Sequence, residues 1–153
     1  MKITLLAVGK MRSKALKEVC DDYLARLNRY GSAEVVEVKA AEGLAPKEAA
    51  EQECSRLLKE LQPSDTLFIL DERGSQMRSK ELSELILKLE INSIKRMVLV
   101  LGGAYGLNDL VRSKGRLLSF SKMTLPHELC RALALEQLYR ARTIQRNEPY
   151  HHE

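Results

Sequence analysis

The chain alternates between short apolar runs and longer stretches in which apolar residues recur at helical spacing. The short runs at residues 2–8, 33–39, 66–70, 97–101 and 117–120 predict five strands, and the most apolar run, 97–101, predicts a central strand. Helices are predicted at residues 13–30, 46–61, 108–114 and 126–147, and in a stretch that Ser79 caps. This alternation over 153 residues predicts a single α/β domain, 1–153, with a mainly parallel sheet and helices on both faces.

The loops that follow the predicted strands at Leu70, Leu101 and Phe120 are the candidate ligand sites, because parallel sheets bind ligands at the carboxyl ends of their strands. In the second loop, Gly102, Gly103 and Gly106 allow a ligand to approach the backbone closely. The spacing is neither a dinucleotide fingerprint nor a P-loop, and a tight turn without a ligand explains these glycines about equally well. In the third loop, free backbone N–H groups before and after Pro126 are available to a ligand.

Composition narrows the class of protein. The net charge of +4 permits an anionic partner without establishing one. No apolar run approaches the ~20 residues of a membrane span, and the N-terminus lacks a signal-peptide pattern. Three cysteines, odd in number and far apart, favour buried thiols in a reduced cytoplasm. None of them is spaced as a metal ligand, so no metal is expected.

Several polar side chains are candidates for chemistry. His127 could act as a base beside the third loop, although capping the helix is the simpler explanation. Arg140, Arg142 and Arg146 form an acid-free cluster that suits phosphate, although solvated helix charge is the usual reading of such residues. The last helix is apolar over so much of its surface that it is either deeply buried or packed on a partner chain, and we favour a homodimer contact.

The motifs taken together resemble a known family. They are Gly102-Gly103-x-x-Gly106-Leu107, the run from Leu118 to His127 that ends Thr-Leu-Pro-His, Glu136-Gln137-Leu138-Tyr139-Arg140-Ala141, and a terminal Tyr150-His151. The full length resembles the ribosomal large subunit methyltransferase H family, the bacterial 23S rRNA pseudouridine-N3 methyltransferases of the SPOUT class. The resemblance implies a C-terminal trefoil knot, a homodimer and S-adenosylmethionine as the cofactor. It also implies 23S rRNA within the ribosome as a partner, in the cytoplasm.

The resemblance also assigns residues. The implied cofactor contacts are Leu70, Gly103 and the segment Ser121, Lys122, Met123, Thr124, Leu125 and Pro126, and we add Gly102 and Gly106 from the same glycine loop. Methyl transfer from a sulfonium releases a neutral thioether, so neither an acid nor a metal is needed, but the pseudouridine N3 proton must leave. His151 is the candidate base, Tyr150 would stack on or orient the nucleobase, and Arg140 or Arg142 would hold phosphate or stabilise the anion. His152 stands where many relatives carry Lys or Arg, which puts a phosphate role for that position in doubt.

Two other classes stay open from the sequence. One is a non-catalytic ribosome-binding or RNA-binding module that uses the basic helix. The other is an α/β enzyme that holds a mononucleotide such as ATP at the glycine loop. The chain has no Gly-Lys-Ser/Thr and no acidic metal-binding cluster, which counts against the second.

Overall fold

A computed structural model of the chain describes residues 1–152. Its elements alternate as predicted. In chain order they are β1 (Lys2–Val8), α1 (Lys14–Leu27), β2 (Ala33–Val38), α2 (Pro46–Lys59), β3 (Thr66–Ser75), α3 (Ser79–Ile91), β4 (Arg96–Leu101), α4 (Asp109–Arg112), β5 (Arg116–Leu118) and α5 (His127–Gln145).

All strand pairs of the sheet are parallel, in the order β2-β1-β4-β3-β5. β4 lies in the centre, as its continuous apolar run predicts, and pairs with β1 so that Ile3 faces Met97. Because all strands run the same way, the loops after β3, β4 and β5 meet at one edge of the sheet. This edge is where the sequence places its candidate ligand loops.

Alternate residues of the strands belong to two apolar cores, one on each face of the sheet. Leu5 and Leu99 point into the core that holds residues of α1, α3 and α5. Leu6 and Val100 point into the core that holds Cys54 of α2 and Val111 of α4. Helices therefore cover both faces, and the predicted fold class is confirmed.

The last helix, α5, packs between α1 and α3, and this position accounts for its broad apolar surface. Leu138 is 1% exposed and Ala134 and Ala141 are fully buried, all within the core of the same chain. The broad apolar surface of α5 is therefore not evidence for a partner chain by itself. The homodimer and the trefoil knot stay predictions.

Several predicted boundaries differ from the structure, and α1, α2, α4 and α5 are each shorter than predicted. α3 is capped by Arg78, not Ser79, because Glu81 reaches back to the Arg78 backbone N–H at 2.6 Å. β3 runs five residues past Leu70, with a bulge before Ser75 pairs with Leu118. β5 is correspondingly short and ends at Leu118, so that Ser119 and Phe120 belong to the loop that follows.

Candidate active site

Residues 70–73 of β3, together with the loops after β4 and β5, enclose a cavity of about 670 Å³ at the carboxyl edge of the sheet. All of the predicted cofactor-binding residues except Lys122 line it: Leu70, Gly102, Gly103, Gly106, Ser121, Met123, Thr124, Leu125 and Pro126. Lys122 is exposed and lies outside the lining, so the structure does not bring it to the cavity. The cofactor role of each residue stays a prediction.

The glycine loop closes on itself, since the Gly106 N–H donates to the Gly103 carbonyl at 3.1 Å. Gly106 has a φ of +73°, in the left-handed region that favours glycine. At Gly103 a side chain is excluded for another reason: a Cβ there would lie 2.6 Å from Glu53 Oε2 and 3.0 Å from Val8 Cγ1. That Cβ points into the buried interior, so a side chain at this position would have to displace Glu53 of α2 or Val8 of β1.

The third loop is shaped by its own hydroxyl groups. Ser119 Oγ donates to the Ser121 carbonyl at 2.7 Å, and Ser121 Oγ accepts from the Met123 N–H at 3.0 Å. Thr124 Oγ1 donates to Glu72 Oε2 at 3.3 Å, which joins the third loop to β3. The conformation of the third loop is therefore encoded locally by its serine and threonine side chains.

Asp71 and Arg112 join β3 to α4, with Arg112 Nε 2.7 Å from Asp71 Oδ2. Burial raises the pKa of Asp71, but hydrogen bonds from Arg73 and Arg112 outweigh it and lower that pKa to about 2. The carboxylate is thus ionised at all physiological pH values. Sequence patterns did not single out this pair, because its partners are 41 residues apart.

His127 lines the cavity at the first turn of α5. Burial, and after it the charges of Arg131 and Arg12, lower the pKa of this imidazole below its usual value of 6.5. His127 is therefore mainly neutral near pH 7 and can accept a proton.

Arg131 is 1% exposed, although a solvated helix charge was the simpler expectation for the arginines of the last helix. It donates to Glu37 Oε1 at 2.7 Å, to the Gly9 carbonyl at 2.7 Å and to the Val8 carbonyl. This buried ion pair attaches the start of α5 to the ends of β1 and β2, beside the cavity.

The predicted catalytic arginines are both engaged within the chain. Arg142 is 6% exposed and forms two hydrogen bonds to the Glu90 carboxylate, at 2.7 and 2.8 Å. Arg140 binds Glu136 at 2.6 Å and lies over the Tyr150 ring. The acid-free spacing along the sequence was misleading, because the neutralising carboxylates come from elsewhere in the fold or from one turn earlier in α5. The position of Arg142 does not support a direct role in phosphate binding.

The C-terminal tail folds back on α5. The Tyr150 hydroxyl lies 3.1 Å from both the Tyr23 hydroxyl and Glu136 Oε1, and its ring packs edge-on against Tyr139. His151 Nδ1 lies 3.5 Å from Arg140 Nη1. Burial and these hydrogen bonds raise the pKa of Tyr150. The tail is thus held by specific contacts, whereas disorder would be the ordinary expectation for such a segment.

Tyr150 and His151 do not line the cavity of their own chain. The cavity lies at the start of α5 and the tail at its end, and the 19 residues of the helix span about 28 Å. The structure of one chain therefore does not bring the predicted base to the predicted cofactor loops.

Among residues 1–152, no group of His, Cys, Asp or Glu side chains has the arrangement of a metal site. Across the same residues, no helix has the length and hydropathy required to cross a membrane.

Fold and site together define an α/β protein with a ligand cavity at the carboxyl edge of a parallel sheet. The sequence matches the family model described as predicted SPOUT methyltransferase over residues 1–151. It is 47% identical to the ribosomal RNA large subunit methyltransferase H of Pelobacter propionicus, over 99% of this chain and 100% of that protein. It is 40% identical to the protein of the same name from Porphyromonas gingivalis, with both chains fully covered.

Solved structures agree on the fold. A probable methyltransferase from Bordetella pertussis Tohama I superimposes with a TM-score of 0.56 at 17% identity, covering 91% of this chain and 95% of that one. A probable methylase family protein from Haemophilus influenzae Rd KW20 gives 0.52 at 12% identity, over 95% of this chain and 66% of that one. The chain belongs to the SPOUT methyltransferase family and, within it, to the ribosomal RNA large subunit methyltransferase H group. The predicted enzyme class, methyltransferase, is confirmed.

Proposed function

We propose that this protein transfers a methyl group from S-adenosylmethionine to N3 of a pseudouridine in 23S rRNA, within the assembled ribosome. The observation that carries the proposal is the cavity, in which the three loops selected from the sequence form one site. Full-length relatives named ribosomal RNA large subunit methyltransferase H support an rRNA substrate. The proposal treats residues 1–153 as one catalytic domain that acts where ribosomes are found, in the cytoplasm.

The cavity suits the cofactor in size and chemistry. Its volume of about 670 Å³ falls within the ~300–1,000 Å³ typical of small-molecule sites. Leu101, Leu118 and Phe120 supply apolar walls for a flat ring, while the backbone of the glycine and third loops supplies hydrogen-bonding groups. When bound there, S-adenosylmethionine supplies an electrophilic methyl group. The chain's own residues hold it in line with the nucleophile and exclude water.

The methylated nitrogen must lose its proton, and two histidines are candidates for the base. His151 is the candidate base chosen from the sequence, but its own chain holds it at the far end of α5 from the cavity. A homodimer resolves this separation if the tail of one protomer completes the site of the other. His127 lies in the cavity already. Its lowered pKa keeps the imidazole unprotonated, and therefore free to accept a proton, while making it a weaker base.

Exposed apolar side chains on α1 and α5 support the homodimer. Val19 of α1 is 40% exposed and Leu129 of α5 is 37% exposed, and their two helices pack against each other. Such residues on adjoining helices suit an isologous contact, in which the same surface of each protomer pairs with its copy.

The proposal is tested by methyl transfer from radiolabelled S-adenosylmethionine to ribosomes from cells that lack the enzyme. We expect label in the rRNA at N3 of a pseudouridine, and more with 70S ribosomes than with naked 23S rRNA. Saturable cofactor binding by calorimetry without any methyl transfer would contradict the substrate assignment. Ribosome binding without cofactor binding would instead show the non-catalytic RNA-binding module.

A further inference from the structure

The segment between β1 and α1, residues 9–14, carries Lys10, Arg12 and Lys14 at the carboxyl edge of the sheet. All of these side chains are exposed, and in the part of the chain that the structure describes none of them forms an ion pair. They contrast with Arg131, Arg140 and Arg142, whose charges are paired with carboxylates. Lys10, Arg12 and Lys14 are therefore available to an anionic partner, whereas those three arginines are not. Arg146, the C-cap residue of α5, is also exposed, but it lies at the other end of that helix from the cavity.

This basic segment is held next to the cavity. The carboxylate of Glu128, in the first turn of α5, accepts hydrogen bonds from the backbone N–H groups of Arg12 at 3.0 Å and Ser13 at 2.9 Å. The preceding residue, His127, lines the cavity, and the charge of Arg12 acts on that imidazole. One end of the basic segment thus adjoins the cavity wall.

Hydrogen bonds at Gly9 and Ser13 also fix the backbone of the segment. The Gly9 N–H donates to the Val38 carbonyl at 2.7 Å, and the Gly9 carbonyl accepts from Arg131 at 2.7 Å. Ser13 caps α1 by accepting from the Leu16 N–H at 3.3 Å. A backbone ordered before binding lowers the entropy lost when a partner docks, so the side chains are presented from a rigid support.

We propose that residues 9–14 form a phosphate-contacting arm that holds the rRNA backbone beside the cavity through Lys10, Arg12 and Lys14, with Glu128 as its anchor. The inference rests on the proposed function and adds the surface by which the substrate is held. Both carboxylate oxygens of Glu128 already accept backbone N–H groups of the arm. Lys and Arg contacts to phosphate position a nucleic acid without reading its sequence, which suits docking next to a single target nucleotide.

The test compares two triple variants of the full chain. The arm variant combines Lys10→Gln, Arg12→Gln and Lys14→Gln. The matched control combines Lys59→Gln, Lys88→Gln and Lys95→Gln, which removes the same charge from exposed positions at or near the opposite, amino-terminal edge of the sheet. The steady-state rate of methyl transfer to 70S ribosomes is measured over a series of KCl concentrations, with cofactor affinity measured separately by calorimetry.

We expect the arm variant to raise KM for ribosomes by about tenfold or more. The slope of log KM against log[KCl] should become shallower by about 2–3, since each lost phosphate contact removes about 0.7–0.9 from it. The kcat and the affinity for S-adenosylmethionine should stay at wild-type values, and the control should match wild type throughout. Glu128→Ala, which frees the arm but keeps its cations, should raise KM by a smaller factor with an unchanged salt slope.

An arm variant with the wild-type KM and salt slope would overturn the proposal. So would a loss of dimer in sedimentation, because the arm would then contact a second protomer and not RNA. If wild-type enzyme itself transferred no methyl group to ribosomes, the proposed function would fail, and this result is distinct from a failure of the arm alone.

Discussion

The two ends of α5 are built on different principles. At its start, the cavity is formed mainly by the backbone of three loops, which glycines and hydroxyl side chains shape locally. At its end, the tail is held by a cluster of large side chains, with Tyr23, Tyr139 and Tyr150 in mutual contact and Arg140 over a ring. A backbone site tolerates few changes of conformation, whereas a side-chain cluster can lose one contact and keep the others. The comparison predicts that substitutions at the cavity end will change cofactor binding, whereas substitutions in the tail will change catalysis.

The largest effect should come from the tail. His151→Ala should lower the single-turnover rate of methyl transfer on 70S ribosomes by about 10²–10⁴-fold, the usual loss when a general base is removed. The affinity for S-adenosylmethionine should be nearly unchanged, because the predicted cofactor contacts come from residues 70–126 and not from the tail. His152→Ala, at the exposed neighbouring residue, is the matched control. A normal rate for His151→Ala together with a strong loss for His127→Ala would transfer the base role to the cavity end of the helix.

Two substitutions, one in the middle of α5 and one on α1, should distinguish a loss of folding from a loss of dimer formation. Leu138→Asp puts a charge into the core at a position that is 1% exposed, and should cost several kcal/mol and unfold the chain. Val19→Asp changes a position that is 40% exposed on α1, and should leave the fold intact while shifting sedimentation from dimer to monomer. Circular dichroism reports the fold of both variants. A Val19→Asp protein that sediments as a dimer would exclude α1 from the contact.

The glycine loop should be sensitive to a single methyl group. Gly103→Ala places a Cβ 2.6 Å from Glu53 Oε2, and overpacking of this kind typically costs about 1–3 kcal/mol. Melting temperature and cofactor affinity should both fall, since the loop that shapes the cavity must move.

A second substitution identifies the cause of that loss. If the collision with Glu53 is responsible, Glu53→Ala in the same chain should restore part of the cofactor affinity. Affinity that stays low in the double variant would mean that the Gly103 methyl group occupies space the ligand needs, as the glycine pattern of the sequence alone suggests.

The smallest effect should come from Tyr150→Phe, which keeps the ring on Tyr139 but removes the hydroxyl contacts to Tyr23 and Glu136. A net cost of about 1 kcal/mol in unfolding free energy is expected. Chemical denaturation measures it, and Tyr105→Phe, at a ring that is 53% exposed, should leave the unfolding free energy unchanged. An unchanged value for Tyr150→Phe would show that the tail is attached mainly by ring packing.

Local patterns in the sequence predicted the strands, the helices and the three loops of the cavity, because periodicity and glycine placement act over a few residues. The same local patterns could not predict the buried ion pairs. Arg131 and Arg142 find their carboxylates 94 and 52 residues away in sequence, at Glu37 and Glu90. The same limit applies to Gly103, where the pattern indicates a glycine but only the packed helix behind it shows that a side chain there would have to displace Glu53.

The pairing of β1 with β4 has a consequence for how the chain is made. Ile3 pairs with Met97, so β1 cannot form this pairing until nearly a hundred further residues have left the ribosome. At roughly 5–20 residues per second, that delay lasts several seconds or more. Until then β1 can pair only with β2, and its apolar edge stays open. Parallel sheets with such distant partners also fold slowly, so assembly of this enzyme is expected to follow its synthesis.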